Sequence, residues 1–178
     1  MYYANATILL AVLLLAPSSA AADSGGFWAG AEFGVGSMWR SSTVTNKDST
    51  IYMAFKGAYV FSERLLLGIE LGGHTLEAGN LWDPSKGAGF SQVMLLAQYY
   101  LQPVRSGWYV KGAAGTVNYW DNNPGAQGES GTGVTIAVGH EWRTESLGNV
   151  GPLISFDYGN VGNTDYRAIA LALSWSFP

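Results

Sequence analysis

The stretch "IALALSWSFP", Ile169 to Pro178, alternates large apolar residues with small ones. Ile169, Leu171, Leu173, Trp175 and Phe177 share one parity, and Ala170, Ala172, Ser174 and Ser176 share the other. A two-residue period is the mark of a β-strand, here with one greasy face and one face of small side chains. Left as the free edge of a sheet, so apolar a strand would be an aggregation site. Its open edge therefore needs a partner strand, and the choice of partner decides the fold.

The other end of the sequence narrows the choice. Residues Ile8 to Ala16, "ILLAVLLLA", form an uninterrupted apolar run followed by Pro17 and small residues. The run falls short of the about 20 residues that a membrane-spanning helix needs. It fits the apolar core of a secretory signal, with Ala20 and Ala22 placed for cleavage before Asp23. The opening "MYYANAT" departs from that pattern in carrying no Lys or Arg, which leaves Met1 open as the true start. The expected organisation is a cleaved signal peptide over 1–22 and a single domain over 23–178.

That domain has no cysteine, so it carries no disulfide framework and no thiolate metal site. A net charge of −4 without a basic patch speaks against nucleic acid as a partner. Charged residues make up only 12 %, while glycines number 24 and aromatics reach 13 %. The usual charged fraction is about 25 %. A water-soluble surface is hard to cover with so little charge; a lipid-facing one is not.

Read for period two, the sequence yields one strand after another. "FWAGAEFGVGSMW" puts Phe27, Ala29, Ala31, Phe33, Val35 and Trp39 opposite Gly30, Glu32, Gly34 and Gly36. "TIYMAFKGAYVF" sets Ile51, Met53, Phe55, Tyr59 and Phe61 against Tyr52, Ala54, Lys56 and Ala58. Similar alternation places Leu65, Leu67, Ile69 and Leu71 against Glu70, and Val93, Leu95, Ala97, Tyr99 and Leu101 against Met94 and Gln98. The fifth stretch is less clean, and Lys111 argues that Trp108, Val110, Ala114 and Trp120 form its apolar side. Val134, Ile136, Val138 and Trp142, then Ile154, Phe156 and Tyr158, mark two more strands before the closing one, eight in all. Short connections fall around Ser62–Arg64, Gln102–Gly107 and Arg143–Asn149. Longer, polar ones fall at Arg40–Ser49, Thr75–Gly89, Asp121–Thr132 and Asn160–Asp165, where flexible loops belong. Long and short segregate to opposite ends of an up-and-down meander.

Trp28, Trp39, Trp108, Trp120, Trp142 and Trp175 stand near strand ends, as in the aromatic girdles of membrane interfaces, and Trp82 lies in a loop. The mid-strand charges Glu32, Lys56, Glu70, Lys111 and Asp157 all share the parity opposite the apolar one. A membrane barrel, apolar outside and polar inside, explains that inversion. The last strand is then expected to pair with the first and close the sheet, because unpaired backbone groups in hydrocarbon cost several kcal/mol each.

On these features the mature sequence resembles the small eight-stranded outer-membrane β-barrels of Gram-negative bacteria, the OmpA/OmpX-type and related porin-family domains. The resemblance implies an all-β, eight-stranded antiparallel up-and-down transmembrane barrel, resident in the outer membrane among lipid and lipopolysaccharide and probed by the barrel-assembly machinery. Phe177, Trp175, Leu173 and Leu171 match the family's C-terminal assembly signal; Pro178, after the aromatic, departs from it.

Chemistry is sparse. His74, with Asp83 and Ser85 following, is similar to the surface His and Ser of barrel lipid A acyltransferases and deacylases, but loop spacing does not make a base–nucleophile pair. His140 beside Glu141 reads as an interfacial polar residue. No metal or cofactor is expected, since two distant histidines without cysteine give no ligand spacing. Glu32, Lys56, Glu70, Lys111, Glu141, Arg143 and Asp157 are expected to pair inside a lumen that side chains fill. The inward glycines hint at a cavity. No catalytic residue is assigned. The leading expectation is a monomeric structural or adhesive protein acting through four external loops; the alternatives are a narrow channel or binding site for small hydrophobic solutes and, third, a lipid A-modifying enzyme.

Overall fold

In a computed structural model of the chain, residues 26–41, 45–76, 88–102, 106–121, 128–145 and 148–177 are described. The expected signal segment 1–22 lies outside them. Eight strands follow in order: β1 Phe27–Ser41, β2 Thr45–Val60, β3 Leu65–Leu76, β4 Ala88–Tyr100, β5 Gly107–Asp121, β6 Glu129–Thr144, β7 Gly148–Val161 and β8 Thr164–Phe177. Each pairs antiparallel with its sequence neighbours, and β1 pairs with β8, so the sheet is a closed barrel. Ala31 faces Trp175 and Val35 faces Leu171 across the seam. The last strand's open edge is thus satisfied by the first, and no edge remains.

Alternation assigns the faces. Along β4, Leu95 is 74 % exposed while its neighbour Met94 is 1 %. The same parity holds around the barrel, with Phe33, Val35, Ile69, Val110, Ile136, Ile154 and Leu171 outward. Glu32, Lys56, Glu70, Lys111 and Asp157 are turned inward and buried.

The connections differ from expectation at two places. Most of Arg40–Ser49 is strand, with Arg40 opposite Asn46 and Ser41 opposite Thr45. Arg40 also bonds Asp48 at 2.6 Å, holding the polar end of the hairpin together. Asn160–Asp165 likewise collapses to a two-residue turn, since Val161 pairs with Thr164. Gly162 there has φ 59°, the positive value that primed hairpin turns require. Polar residues read as loop because a strand that rises clear of an apolar band loses its greasy face while keeping its ladder. Only the β3–β4 and β5–β6 connections are long at that end, called here the loop end.

Two apolar clusters sit inside the barrel. Trp28, Leu66, Tyr100, Tyr109 and Leu153 gather toward the opposite, turn end. Met38, Phe90, Val117, Val161 and Tyr166 gather toward the loop end. Trp28 is therefore no girdle residue: at 1 % exposure it lies inside, with the Lys56 ammonium 5.0 Å from its ring centre. Its parity with Glu32 carries it inward. The glycine-rich inner face does not translate into empty space at these points either. A Cβ on Gly139 would run into the Tyr109 ring, one on Gly159 into Tyr166, and one on Gly30 would come 2.9 Å from Trp28. These three glycines are the seats of large aromatics, while Gly34, Gly68 and Gly72 lie against backbone and alanine of the neighbouring strand.

Candidate functional site

His74 was the one residue with a catalytic look, and β3 turns it inward. It is 2 % exposed, and its Nε2 lies 3.1 Å from Asp157 Oδ2 on β7. A carboxylate only accepts, so Nε2 carries a proton, and Nδ1 lies 3.3 Å from the Thr50 hydroxyl. Thr135 and Ser155 also donate to Asp157. Hydroxyl, imidazole and carboxylate stand in the order of a nucleophile, its base and the group that orients the base. Yet Thr50 is 2 % and Asp157 0 % exposed, so the hydroxyl has no open face for a substrate. The arrangement satisfies buried polar groups. Asp83 and Ser85, the expected companions of His74, lie outside the described residues.

One layer nearer the turn end, four strands contribute an ion cluster. Lys111 Nζ on β5 donates to Glu32 Oε2 on β1 and Glu70 Oε2 on β3, each at 2.7 Å. Lys56 Nζ on β2 donates to Glu32 Oε1 at 2.6 Å and Gln98 Oε1 at 3.3 Å. Tyr52 donates to Glu32 Oε2 at 2.6 Å. Buried charges of this kind persist only where each is paired and hydrogen-bonded. The expected pairing of Glu32, Lys56, Glu70 and Lys111 is observed.

Glu141 and Arg143 do not join that cluster. Glu141 turns into the lumen and accepts from Tyr100 at 2.8 Å, Ser174 at 2.7 Å and Ser176 at 3.0 Å, while Arg143 stays exposed. His140 faces outward, its ring 5.1 Å from Trp108 and 4.8 Å from Trp142, which fits the interfacial reading. The lumen's formal balance is four carboxylates (Glu32, Glu70, Glu141, Asp157) against two ammonium groups (Lys56, Lys111), or −2 with His74 neutral. Among the described residues no three His, Cys, Asp or Glu side chains come together to hold a metal.

Sequence reasoning missed Thr50, Tyr52, Gln98, Tyr100 and Thr135 as members of these networks. Each shares the parity of the inward charges, so the face was readable. The pairings were not, because His74 and Asp157 meet across 83 residues of sequence.

Together, a closed eight-stranded antiparallel sheet with an apolar exterior and a charged, hydrogen-bonded interior define the architecture of the small outer-membrane β-barrels. Solved structures share it. Neisserial surface protein A (NspA) superposes with a TM-score of 0.59 at 12 % identity, over 87 % of this chain and 100 % of that one. Ail, the attachment invasion locus protein of Yersinia pestis, in complex with the heparin analogue sucrose octasulfate, gives 0.54 at 10 % identity, over 87 % and 100 %. No family model matches the sequence. No curated protein matches it either.

Proposed function

We propose that this protein is an integral outer-membrane barrel, exported by a signal cleaved before Asp23, whose work is done by what it displays at the loop end. The carrying observation is that the lumen is occupied: ion pairs, the His74–Asp157 network and two apolar clusters use the inward side chains on one another. An interior so engaged serves as a girder rather than a passage or an active site. The outward Trp108, Trp142 and Trp175 at the turn end, with Trp39 and Trp120 toward the other, supply the girdles that fix its depth in the bilayer. The C-terminal strand, through Leu171, Leu173, Trp175 and Phe177, is the element offered to the assembly machinery, and the barrel works as a monomer.

With two of the four outer connections reduced to tight hairpins, the display falls to residues 77–87 and 122–128. The first holds "LWDP" with Trp82, a residue type enriched at binding hot spots. These segments carry Glu77, Asp83 and Lys86 in the first and no charged residue in the second, a sum of −1. Ail's bound sucrose octasulfate is a polyanion. A surface of this charge suits a neutral or apolar partner better than a sulfated one.

Cells expressing the protein should adhere to host cells or matrix, and replacing 79–86 with a Gly-Ser linker should abolish adherence while the heat-shifted barrel band persists. Undiminished adherence with both connections replaced would overturn the reading. Discrete conductance steps from refolded protein in planar bilayers would favour the channel instead.

A further inference from the structure

One pairing in the barrel has no turn to set it. Every other strand pair joins sequence neighbours, where the connection limits the slide of one strand past the next. The seam joins the first strand to the last, and the pattern of the two strands leaves its register open. A slip of one residue would turn apolar side chains inward, but a slip of two preserves both faces. Outside, Phe33 would meet Leu171 or Trp175 in place of Leu173. Inside, Gly34 would meet Ala170 or Ser174 in place of Ala172. Apolar still meets apolar, and small still meets small.

What separates these registers lies across the lumen. Strands four apart in an eight-stranded barrel stand on opposite walls, and three such pairs are tied. Lys111 on β5 reaches Glu32 on β1 at 2.7 Å. His74 on β3 reaches Asp157 on β7 at 3.1 Å. Phe90 on β4 stacks on Tyr166 of β8, with ring centres 4.4 Å apart and planes 20° from parallel. A two-residue slip at the seam changes the stagger of the whole closed sheet. Shared around the circumference, about half of it falls between opposite walls, an offset of about 3.3 Å. That is enough to break all three contacts, two of them between buried groups whose partners are costly to lose.

We propose that these three ties select the register in which the barrel closes. The strand pattern admits several closures, and the lumen admits one. The role lies beyond the display function proposed above, since it concerns which barrel forms rather than what the barrel presents.

A sequence without cysteine makes the seam open to cross-linking. Ser37 and Ile169 are seam partners, so Ser37→Cys with Ile169→Cys should form a disulfide when the detergent-refolded barrel is oxidised. Ser37→Cys with Leu171→Cys, or with Arg167→Cys, reports a slip of two in either direction, because diagonal neighbours stand about 7–8 Å apart and disulfides do not reach so far. With the ties intact, the native pair alone should cross-link. Lys111→Met with Glu70→Leu cuts the first tie and leaves Glu32 to Lys56 and Tyr52. His74→Leu with Asp157→Leu cuts the second, and Tyr166→Ala the third. Each should raise the slipped cross-link about tenfold, and all together should bring it level with the native one. Slipped pairs that cross-link as readily as the native pair while the ties are intact would overturn the inference. So would a combined variant, or the separate variants where the combination does not refold, that shows the heat-shifted band with the native cross-link alone. Failure of even Lys111→Met with Glu70→Leu to refold would overturn it too, because that tie would then be a condition of folding and not a choice of register.

Discussion

At the residue scale, Lys111 is the pivot of the lumen. Among the described residues its ammonium is the sole hydrogen-bond donor to Glu70, while Glu32 has Lys56 and Tyr52 besides. Lys111→Met therefore strands Glu70 and should cost about 3–5 kcal/mol, the range for breaking a buried pair from one side. Lys56→Met should cost less, because Glu32 keeps two donors. Lys111→Met combined with Glu70→Leu should recover most of the loss, since removing both charges removes the desolvation penalty with the attraction. Urea unfolding in vesicles reads all three, and a Lys111→Met barrel as stable as the wild type would show that the cluster is ornamental. How far such residues were legible is itself instructive. The parity of Glu32, Glu70 and Lys111 announced their common face. The same parity applied to His74 and Trp28, each two turns of the alternation from a buried charge, and would have sent both inward. Proximity to a strand end says nothing about face.

At the scale of the element, strands were legible because their period is local, and hairpins were less so because polarity marks the edge of the apolar band rather than the end of the ladder. Ser41 paired with Thr45 is as much strand as Val35 paired with Ile51. Room beside an inner glycine is illegible for a related reason: a strand pattern shows that a side chain is missing, not what from a neighbouring strand has moved into the room. Gly139 on β6 and Tyr109 on β5 are directly paired, and the tyrosine ring lies where a Cβ on Gly139 would point. Gly139→Ala should overpack the contact and cost about 1–3 kcal/mol. In a Tyr109→Ala background the same substitution should be nearly neutral. A double-mutant cycle on detergent-refolded protein would return a coupling of the same size, whereas strictly additive losses would mean that Gly139 answers to the backbone and not to the ring.

On the scale of the whole molecule, closure and polarity are one fact. A sheet whose outward side chains are Phe, Leu, Ile and Val across its full circumference is viable only in a medium that tolerates them, and such a medium also forbids a free edge. The seam between β1 and β8 answers the second demand, and lipid answers the first. The composition already pointed there, since a chain with 12 % charged residues that turns several of them inward has few left for an aqueous surface. The medium can be read out by depth. Leu95 lies in the middle of the apolar band and Ser49 beyond its loop-end edge, both pointing outward. In a bilayer, Leu95→Arg should cost about 2–4 kcal/mol, while Ser49→Arg should cost about 0–1 kcal/mol. In water, an arginine at either site would simply be solvated, and both changes should stay within about 0.5 kcal/mol of the wild type. Folding free energies in lipid vesicles therefore separate the two media without reference to any partner. A flat profile, with Leu95→Arg no worse than Ser49→Arg, would mean that the apolar band faces something other than hydrocarbon, and a covering protein would have to be sought in its place.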